Sequence, residues 1–136
     1  MAFECTLVYE TSLPVSFLCA DTAIPKGSVL MLSDPNTVAI TTGDTDPVAG
    51  IAAEEYIAGS GIGRIAVYTS GTFKGFAGAA GVTAGMAIIT DTATGAANEL
   101  VVADVNSEHL VGRALETATD TESFLFELKP MAVQLA

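Results

Sequence analysis

The hydrophobic residues of this chain come in short runs of four to eight, rich in β-branched and aromatic side chains. Turn-forming residues separate these runs at regular intervals, as at Ser33–Asn36 and Gly59–Gly61. This alternation is typical of a β-barrel or sandwich. No segment carries an apolar 3.6-residue repeat long enough for a substantial helix. The chain is therefore predicted to be all-β, with strands at 5–10, 15–19, 28–33, 37–41, 48–55, 63–69, 72–76, 86–90, 99–103, 110–116 and 123–129.

An internal repeat with a period of about 60 residues organises most of the chain. The first copy spans 24–70 and the second 82–129. Each copy runs from an apolar residue to a glycine, a strand, an Asp turn, a second strand and an apolar-Gly-x-Ala-x-Glu segment, and a further strand closes it. The Gly-x-Ala-x-Glu segments are Gly50–Glu54 (GIAAE) and Gly112–Glu116 (GRALE). The repeat predicts two similar β units that share one core.

The repeat also makes local predictions. It indicates strand rather than helix for Ala52–Glu55, because the equivalent residues of the second copy lie between β-branched and turn residues. Gly27 and Gly85 precede a strand in each copy, and are expected to supply a positive-φ turn or a close backbone approach. Arg113 stands where the first copy has Ile51, so that position is expected to face solvent or a neighbour in the second copy.

At 136 residues the chain fits one domain. We predict a β-barrel-like domain over 21–136, preceded by an N-terminal arm or first strands over 1–20. Odd-numbered positions from Phe3 to Tyr9 are apolar and would share one side of an extended segment. This segment is either an arm that adds a strand to a neighbouring subunit or an ordinary first strand of the same barrel.

Charge excludes several partners. Only 15% of residues are charged, 16 acidic residues outnumber five basic ones, and the net charge is −11. Such a chain repels phosphate backbones and anionic membrane surfaces, so neither nucleic acid nor a membrane is an expected partner. A surface this poor in charge suits a subunit that partners cover. No signal peptide or transmembrane segment is apparent, so synthesis in a cytoplasm is expected.

The residue types that catalysis and metal binding require are sparse. His109 is the only histidine, which leaves no second histidine for a triad or a metal site. Cys5 and Cys19 lack redox spacing, and we expect buried free thiols in preference to a disulfide. Asp44 and Asp46 are expected in a solvated turn, because the oxygen ligands of a calcium loop are incomplete. No cofactor, no metal and no enzymatic activity are predicted.

Two further motifs have structural interpretations. Gly59–Gly63 looks like a phosphate-binding loop only superficially, because a strand rather than a helix follows it, and a hairpin turn is the better interpretation. Glu54 and Glu55 would point to opposite faces of an extended segment and could not form one acid–base site. The residues of each aromatic pair, Phe73 with Phe76 and Phe124 with Phe126, are expected to share one face of a strand and to lie in the core, with a sugar-binding patch as the alternative.

The second half of the chain carries an ordered set of motifs: Gly71–Phe73, Val82–Ile88, the turn Asp91–Gly95, Leu110–Ala118 and Phe124–Leu128. This set resembles the small capsid cement, or head-decoration, proteins of tailed bacteriophages and related viruses. The likeness extends back to about Ile24. It implies a β-tulip domain that forms homotrimers at three-fold or quasi-three-fold positions on the outer surface of a virion. It also implies the major capsid protein as partner and synthesis in the host cytoplasm.

On this hypothesis the protein stabilises the shell by binding to it, and two segments are predicted to contact the capsid or a neighbouring subunit. These are the N-terminal arm and an Ala/Gly-rich segment, with the residues Ala2, Phe3, Glu4, Cys5, Thr6, Leu7, Val8, Tyr9, Phe76, Ala77, Gly78, Ala79, Ala80, Gly81 and Val82. A carbohydrate- or surface-binding β-module with exposed aromatic residues is the main alternative. A trimeric hydrolase with converging carboxylates is a second one.

Overall fold

The structure, a computed structural model, describes residues 4–41, 47–90, 98–102 and 109–132. Within these ranges there is no helix, and each of the eleven predicted strands is present. The strands are β1 Thr6–Tyr9, β2 Val15–Cys19, β3 Val29–Asp34, β4 Thr37–Ile40, β5 Val48–Ala52, β6 Arg64–Tyr68, β7 Gly71–Ala77, β8 Ala87–Thr90, β9 Glu99–Val102, β10 His109–Ala114 and β11 Ser123–Ala132.

Ten of the strands form two five-stranded barrels with the same connectivity. In the first barrel β2, β4, β3, β5 and β6 pair in that order and close on each other. In the second, β7, β9, β8, β10 and β11 do the same. The first strand of each barrel pairs in parallel with the third, and the other pairings are antiparallel. The all-β fold built from two similar units is confirmed, whereas the prediction that they share one core is wrong, because the buried hydrophobic residues form two clusters.

The local geometry of the two copies also agrees. Gly27 and Gly85 have φ values of 89° and 87°. The Gly27 N–H donates to the carbonyl of Ala52, the last residue of β5, and the Gly85 N–H donates to the carbonyl of Ala114, the last residue of β10. The expected positive-φ turns are therefore confirmed. Isolated bridges join Ile24 to Tyr56 and Val82 to Ala118. The structural repeat begins earlier than the sequence repeat, since β2 and β7 are equivalent first strands.

The prediction of strand for Ala52–Glu55 is wrong beyond Ala52. Strand β5 ends there and the chain bends at Ala53 and Glu54, so that the Glu54 carboxylate accepts a hydrogen bond from the N–H of Ala66. Strand β10 likewise ends at Ala114. The carboxylate thereby supplies the acceptor for the Ala66 N–H that the next carbonyl of a continuing strand would have supplied.

The barrels pack against each other through β5, which is buried along its whole length. Ala49 and Ala52 face the core of the first barrel, while Ile51 packs into the core of the second. The backbone N–H of Val29 donates to Asn98 Oδ1, which ties the two barrels by a buried hydrogen bond of 3.0 Å. Within the described ranges no third barrel covers β10, and Arg113, at the position of Ile51, is exposed there as predicted.

Aromatic side chains fill the second barrel. The rings of Phe73, Phe124 and Phe126 are at most 1% exposed, with centroids 6.0 Å apart for Phe73–Phe126 and 5.7 Å apart for Phe124–Phe126. The expectation that Phe73 and Phe76 share a face is wrong. They are three positions apart on β7, so Phe76 faces the other way and is half-buried.

The N-terminal segment belongs to the sheet of its own chain. Strand β1 pairs antiparallel with β7, placing Thr6 opposite Lys74 and Leu7 opposite Phe73. The Cys5 N–H donates to the carbonyl of Gly27 at 2.8 Å, so the same segment also contacts the first barrel. In the single chain this agrees with the interpretation of the segment as an ordinary strand.

Candidate contact surface

Exposed hydrophobic side chains are concentrated on the first barrel. Among the described residues, ten large hydrophobic side chains are exposed, and six of them belong to the first barrel or to the segment that leads into it. These six are Leu13, Val15, Leu18, Leu32, Ile57 and Ile62. Side chains that remain uncovered in the single chain mark surfaces at which a partner can bury apolar area.

Two of the six, Ile57 and Ile62, lie in one loop, residues 57–63, which we call the glycine loop. It connects the Tyr56 bridge to β6, and Ile57 and Ile62 are 66% and 70% exposed. Tyr56 and Ala66 are ten positions apart, whereas the equivalent Ala118 and Leu125 are seven apart. The first barrel therefore has a three-residue insertion that the second lacks.

Hydrogen bonds to Asp21 and Tyr56 hold the glycine loop in place. Asp21 Oδ1 accepts hydrogen bonds from the Tyr56 hydroxyl and from the Gly59 N–H, both at 3.0 Å. The Gly63 N–H donates to the Tyr56 hydroxyl oxygen at 2.9 Å. Gly59, Gly61 and Gly63 have φ values between 72° and 83°, a region that only glycine adopts freely. The loop thus presents two apolar side chains on a backbone that is already ordered.

A shallow depression of about 260 Å³ lies beside the loop, lined by Ser16, Glu54, Ile62, Arg64, Ile65 and Ala66. Arg64 Nε donates to Ser16 Oγ at 3.0 Å, and Arg64 forms no ion pair with a described residue. The depression therefore combines an exposed apolar side chain with one cation and one carboxylate. On such a surface a protein partner can bury apolar area and can also form hydrogen bonds or ion pairs that fix its orientation.

The fold is shared with a phage head protein. The crystal structure of the head fiber gp8.5 N base of bacteriophage phi29 matches with a TM-score of 0.55, over 90% of this chain and 98% of that one, at 13% sequence identity. An identity this low shows a common fold and transfers no residue roles. No protein-family model matches the chain. No curated protein sequence matches it either.

The predicted contact residues of the arm have unequal access to a partner. Ala2 and Phe3 lie outside the described residues. Cys5 is buried, Glu4 and Leu7 are half-buried, and Thr6 is exposed. Val8 and Tyr9 are 41% and 68% exposed. Among the described contact residues of the arm, Val8 and Tyr9 at the end of β1 are therefore the hydrophobic residues that remain exposed to a partner.

The Ala/Gly-rich segment is a tight turn of the second barrel. Gly78 and Val82 donate their N–H groups to Leu100 and Ala118, and Ala77, Gly78, Gly81 and Val82 are buried within the chain. Phe76 is half-buried, which leaves Ala79 and Ala80 as the exposed residues of the segment. The small residues allow a close approach between strands of the same chain. A subunit contact through this segment would be made by Ala79 and Ala80.

Neither thiol is placed for chemistry. Cys5 and Cys19 are free and buried, as expected. Burial raises the pKa of the Cys5 thiol to about 12, with a smaller contribution from Glu4. Burial, Asp21 and Glu54 raise the pKa of Cys19. A raised pKa keeps a thiol protonated at neutral pH and lowers its nucleophilicity.

The described residues give little support to the alternatives. A cleft of about 530 Å³ where β1 meets the first barrel has Glu4 as the carboxylate in its lining, without a second one to complete an acid–base pair. Within the described ranges Tyr9 is the one exposed aromatic side chain. A sugar-binding patch would need several exposed aromatic side chains.

The described ranges contain no group of three His, Cys, Asp or Glu side chains that could hold a metal ion. They also contain no helix of the length and apolarity needed to cross a bilayer. The hairpin interpretation of Gly59–Gly63 is confirmed, because the segment lies in the connection between β5 and β6, which pair antiparallel. Asp44, Asp46, the turn Asp91–Gly95 and the side chain of His109 lie outside the described part of the structure.

Proposed function

We propose that this protein is a structural component of a tailed-phage virion that binds the outer surface of the capsid as a trimer and stabilises the shell. The observation that carries the proposal is the fold shared with the head fiber N base of bacteriophage phi29, which extends over nearly the whole of both chains. The ordered motifs of the second half, which resemble those of capsid cement proteins, support it independently.

The surface suits permanent contact with a partner. Only 15% of the residues are charged, and six of the ten exposed large hydrophobic side chains in the described ranges belong to the first barrel or to the segment that leads into it. The glycine loop is an insertion in that barrel, and Asp21 and Tyr56 order it before any partner arrives. Pre-ordering reduces the entropic cost of binding, so more of the apolar burial appears as affinity.

Stabilisation would follow from linkage. A protein that binds the assembled shell and not its separated subunits shifts the equilibrium towards the shell by an amount that grows with its free concentration. Trimerisation adds avidity, because the second and third contacts form at high effective concentration once the first has formed. No catalytic group is required for either effect.

The test is binding of the purified protein to shells of the same virus that lack it, measured by co-sedimentation and electron microscopy, with light scattering on the free protein. We expect density at three-fold positions and a higher temperature of shell disruption. Failure to bind such shells would contradict the proposal. Shells that bind the protein without becoming more stable would contradict the stabilising role and leave the attachment intact.

A further inference from the structure

The two barrels differ at one edge of their first strand. In the second barrel, β7 pairs with β11 along one edge, and with β1 and then β9 along the other. In the first barrel, β2 pairs with β6 along one edge, and on the other it pairs with β4 only at Leu18 and Cys19. No described strand occupies the place on β2 that β1 occupies on β7.

The open edge of β2 presents backbone hydrogen-bonding groups at Ser16. Opposite Ser16 lies Ala66, whose N–H donates to Glu54 and whose carbonyl accepts from Ala53, so the backbone groups of Ala66 point towards β5. A strand pair of this kind leaves the backbone groups of both residues pointing outwards. The N–H and C=O of Ser16 therefore point to the open edge.

The second barrel shows how such an edge is used. Leu125 is the equivalent of Ala66, because its N–H donates to Glu116 and its carbonyl accepts from Leu115. Lys74 lies opposite Leu125 and is therefore the equivalent of Ser16. The outward backbone groups of Lys74 meet Thr6 of β1. The same backbone geometry is thus paired in one barrel and unpaired in the other.

Side-chain burial follows the same difference. Val15 is the equivalent of Phe73, yet Val15 is 47% exposed and Phe73 is 1% exposed. Leu7 of β1 lies opposite Phe73 and packs against the core that contains it. Nothing in the described structure plays the part of Leu7 at Val15. An added strand would cover this apolar side chain as well as pair the backbone.

We propose that the open edge of β2 takes up an extended segment of the shell subunit, which pairs antiparallel with Ser16 and places an apolar side chain over Val15. The inference rests on the proposed function. A second copy of this chain is a poorer occupant, because its own β1 is already paired with β7. Ser16 also lines the depression beside the glycine loop, together with Ile62 and Arg64. The open edge is therefore continuous with the surface that offers apolar burial to the shell.

Pro14 keeps the pairing short. It directly precedes β2, at the position equivalent to that of Thr72, which pairs with Tyr9 of β1. Proline has no N–H to give to an added strand, and an edge proline discourages uncontrolled association of sheet edges. The free protein is thereby protected, while Ser16 can still exchange two hydrogen bonds with a partner.

The test compares two substitutions of one residue for binding to shells that lack the protein. Ser16→Pro removes the outward N–H, while Ser16→Ala keeps it, and both lose the hydrogen bond between Ser16 Oγ and Arg64. We expect Ser16→Ala to bind with unchanged affinity and Ser16→Pro to bind at least about tenfold more weakly. Pro14→Thr, which adds an N–H at the edge, is expected to bind as tightly as the wild type or more tightly.

Hydrogen exchange on the unsubstituted protein tests the same point without a variant. The Ser16 amide should exchange rapidly in the free protein and become protected on the shell. Equal binding by folded Ser16→Pro and Ser16→Ala, or a Ser16 amide that stays unprotected on the shell, would overturn the edge pairing and leave capsid attachment standing. Protection that depends on the concentration of the free protein would overturn it in favour of a second copy. Absence of any shell binding would remove both proposals.

Discussion

Glu54 and Glu116 make the same hydrogen bond at equivalent places in the two barrels. Glu54 Oε2 accepts from the Ala66 N–H at 3.2 Å, and Glu116 Oε1 accepts from the Leu125 N–H at 2.9 Å. In each case strand β5 or β10 has already ended, and the carboxylate takes the place of its next carbonyl. The glutamate of the Gly-x-Ala-x-Glu segment is thus conserved between the copies as a backbone partner, with no need for a chemical role.

Replacing this carboxylate should destabilise the fold modestly. Glu54→Ala is expected to lower the free energy of unfolding by about 1 kcal/mol, because it removes an acceptor from a backbone N–H. Glu55→Ala is the matched control, since Glu55 is exposed and makes no hydrogen bond to a described residue, and it should change stability by less than about 0.5 kcal/mol. Denaturant unfolding measures both. Equal losses for the two variants would contradict the assigned role.

The glycine of the same segment should be far less replaceable. A Cβ at Gly112 would overlap the carbonyl oxygen of Glu127, and one at Gly50 would overlap that of Tyr68. Gly112→Ala is therefore expected to cost about 3 kcal/mol, because β10 and β11 must separate. At Gly61 a Cβ would meet nothing within 4 Å, so Gly61→Ala should cost only the left-handed backbone penalty of about 1 kcal/mol. Thermal unfolding that ranks the two variants in the opposite order would refute this account.

The strands could be predicted because their signal is local. Short apolar runs between turn residues fix where a strand forms, and the repeated Gly-x-Ala-x-Glu segments fix how the copies correspond. The first strand of each barrel escaped the repeat because equivalent residues share no motif: Ser16 corresponds to Lys74, and Val15 to Phe73. They are equivalent in their backbone pairing, which a comparison of side-chain types does not detect.

The candidate contact surface depends on comparisons that only the fold makes available. The glycine loop is recognised as an insertion once Tyr56 is matched to Ala118 through their bridges. The bracing of that loop by Asp21 joins residues far apart in sequence. The end of β5 at Ala52 was not predicted either, because the bend after it depends on a hydrogen bond between Glu54 and Ala66, a residue of the neighbouring strand β6.

The thiols should be inert in the folded protein. Cys5 packs into the core of the second barrel and Cys19 into that of the first, so the two cannot approach each other without unfolding. With the pKa of Cys5 raised to about 12, little thiolate is present at neutral pH. We expect no reaction with an aromatic disulfide reagent until denaturant is added, and then reaction of both. Ser60→Cys, in the exposed glycine loop, is the positive control and should react at once. Rapid labelling of Cys5 in the native state would contradict this placement.

Glu122 should contribute a pH-dependent increment of stability. Its Oε1 accepts hydrogen bonds of 2.7 Å from the N–H and from the hydroxyl of Thr119, and these lower the pKa of Glu122 below its ordinary value of 4.5. A pKa lower in the folded state than in the unfolded state gives stability at neutral pH that is lost as pH falls through the folded value. The stability difference between wild type and Glu122→Gln, measured by denaturant unfolding, should therefore shrink on acidification. A difference that stays constant or grows would contradict this sign.

The glycine loop should matter for attachment and little for folding. Ile57 and Ile62 are 66% and 70% exposed, so the double variant Ile57→Ser/Ile62→Ser should unfold within about 0.5 kcal/mol of the wild type. If the loop contacts the shell, its binding should weaken by at least about tenfold, because apolar contacts at the centre of an interface carry most of its energy. The control is Met86→Ser/Leu115→Ser, which removes exposed apolar side chains from the second barrel instead. Weaker binding by the control, with the loop variant unaffected, would move the contact surface to the second barrel.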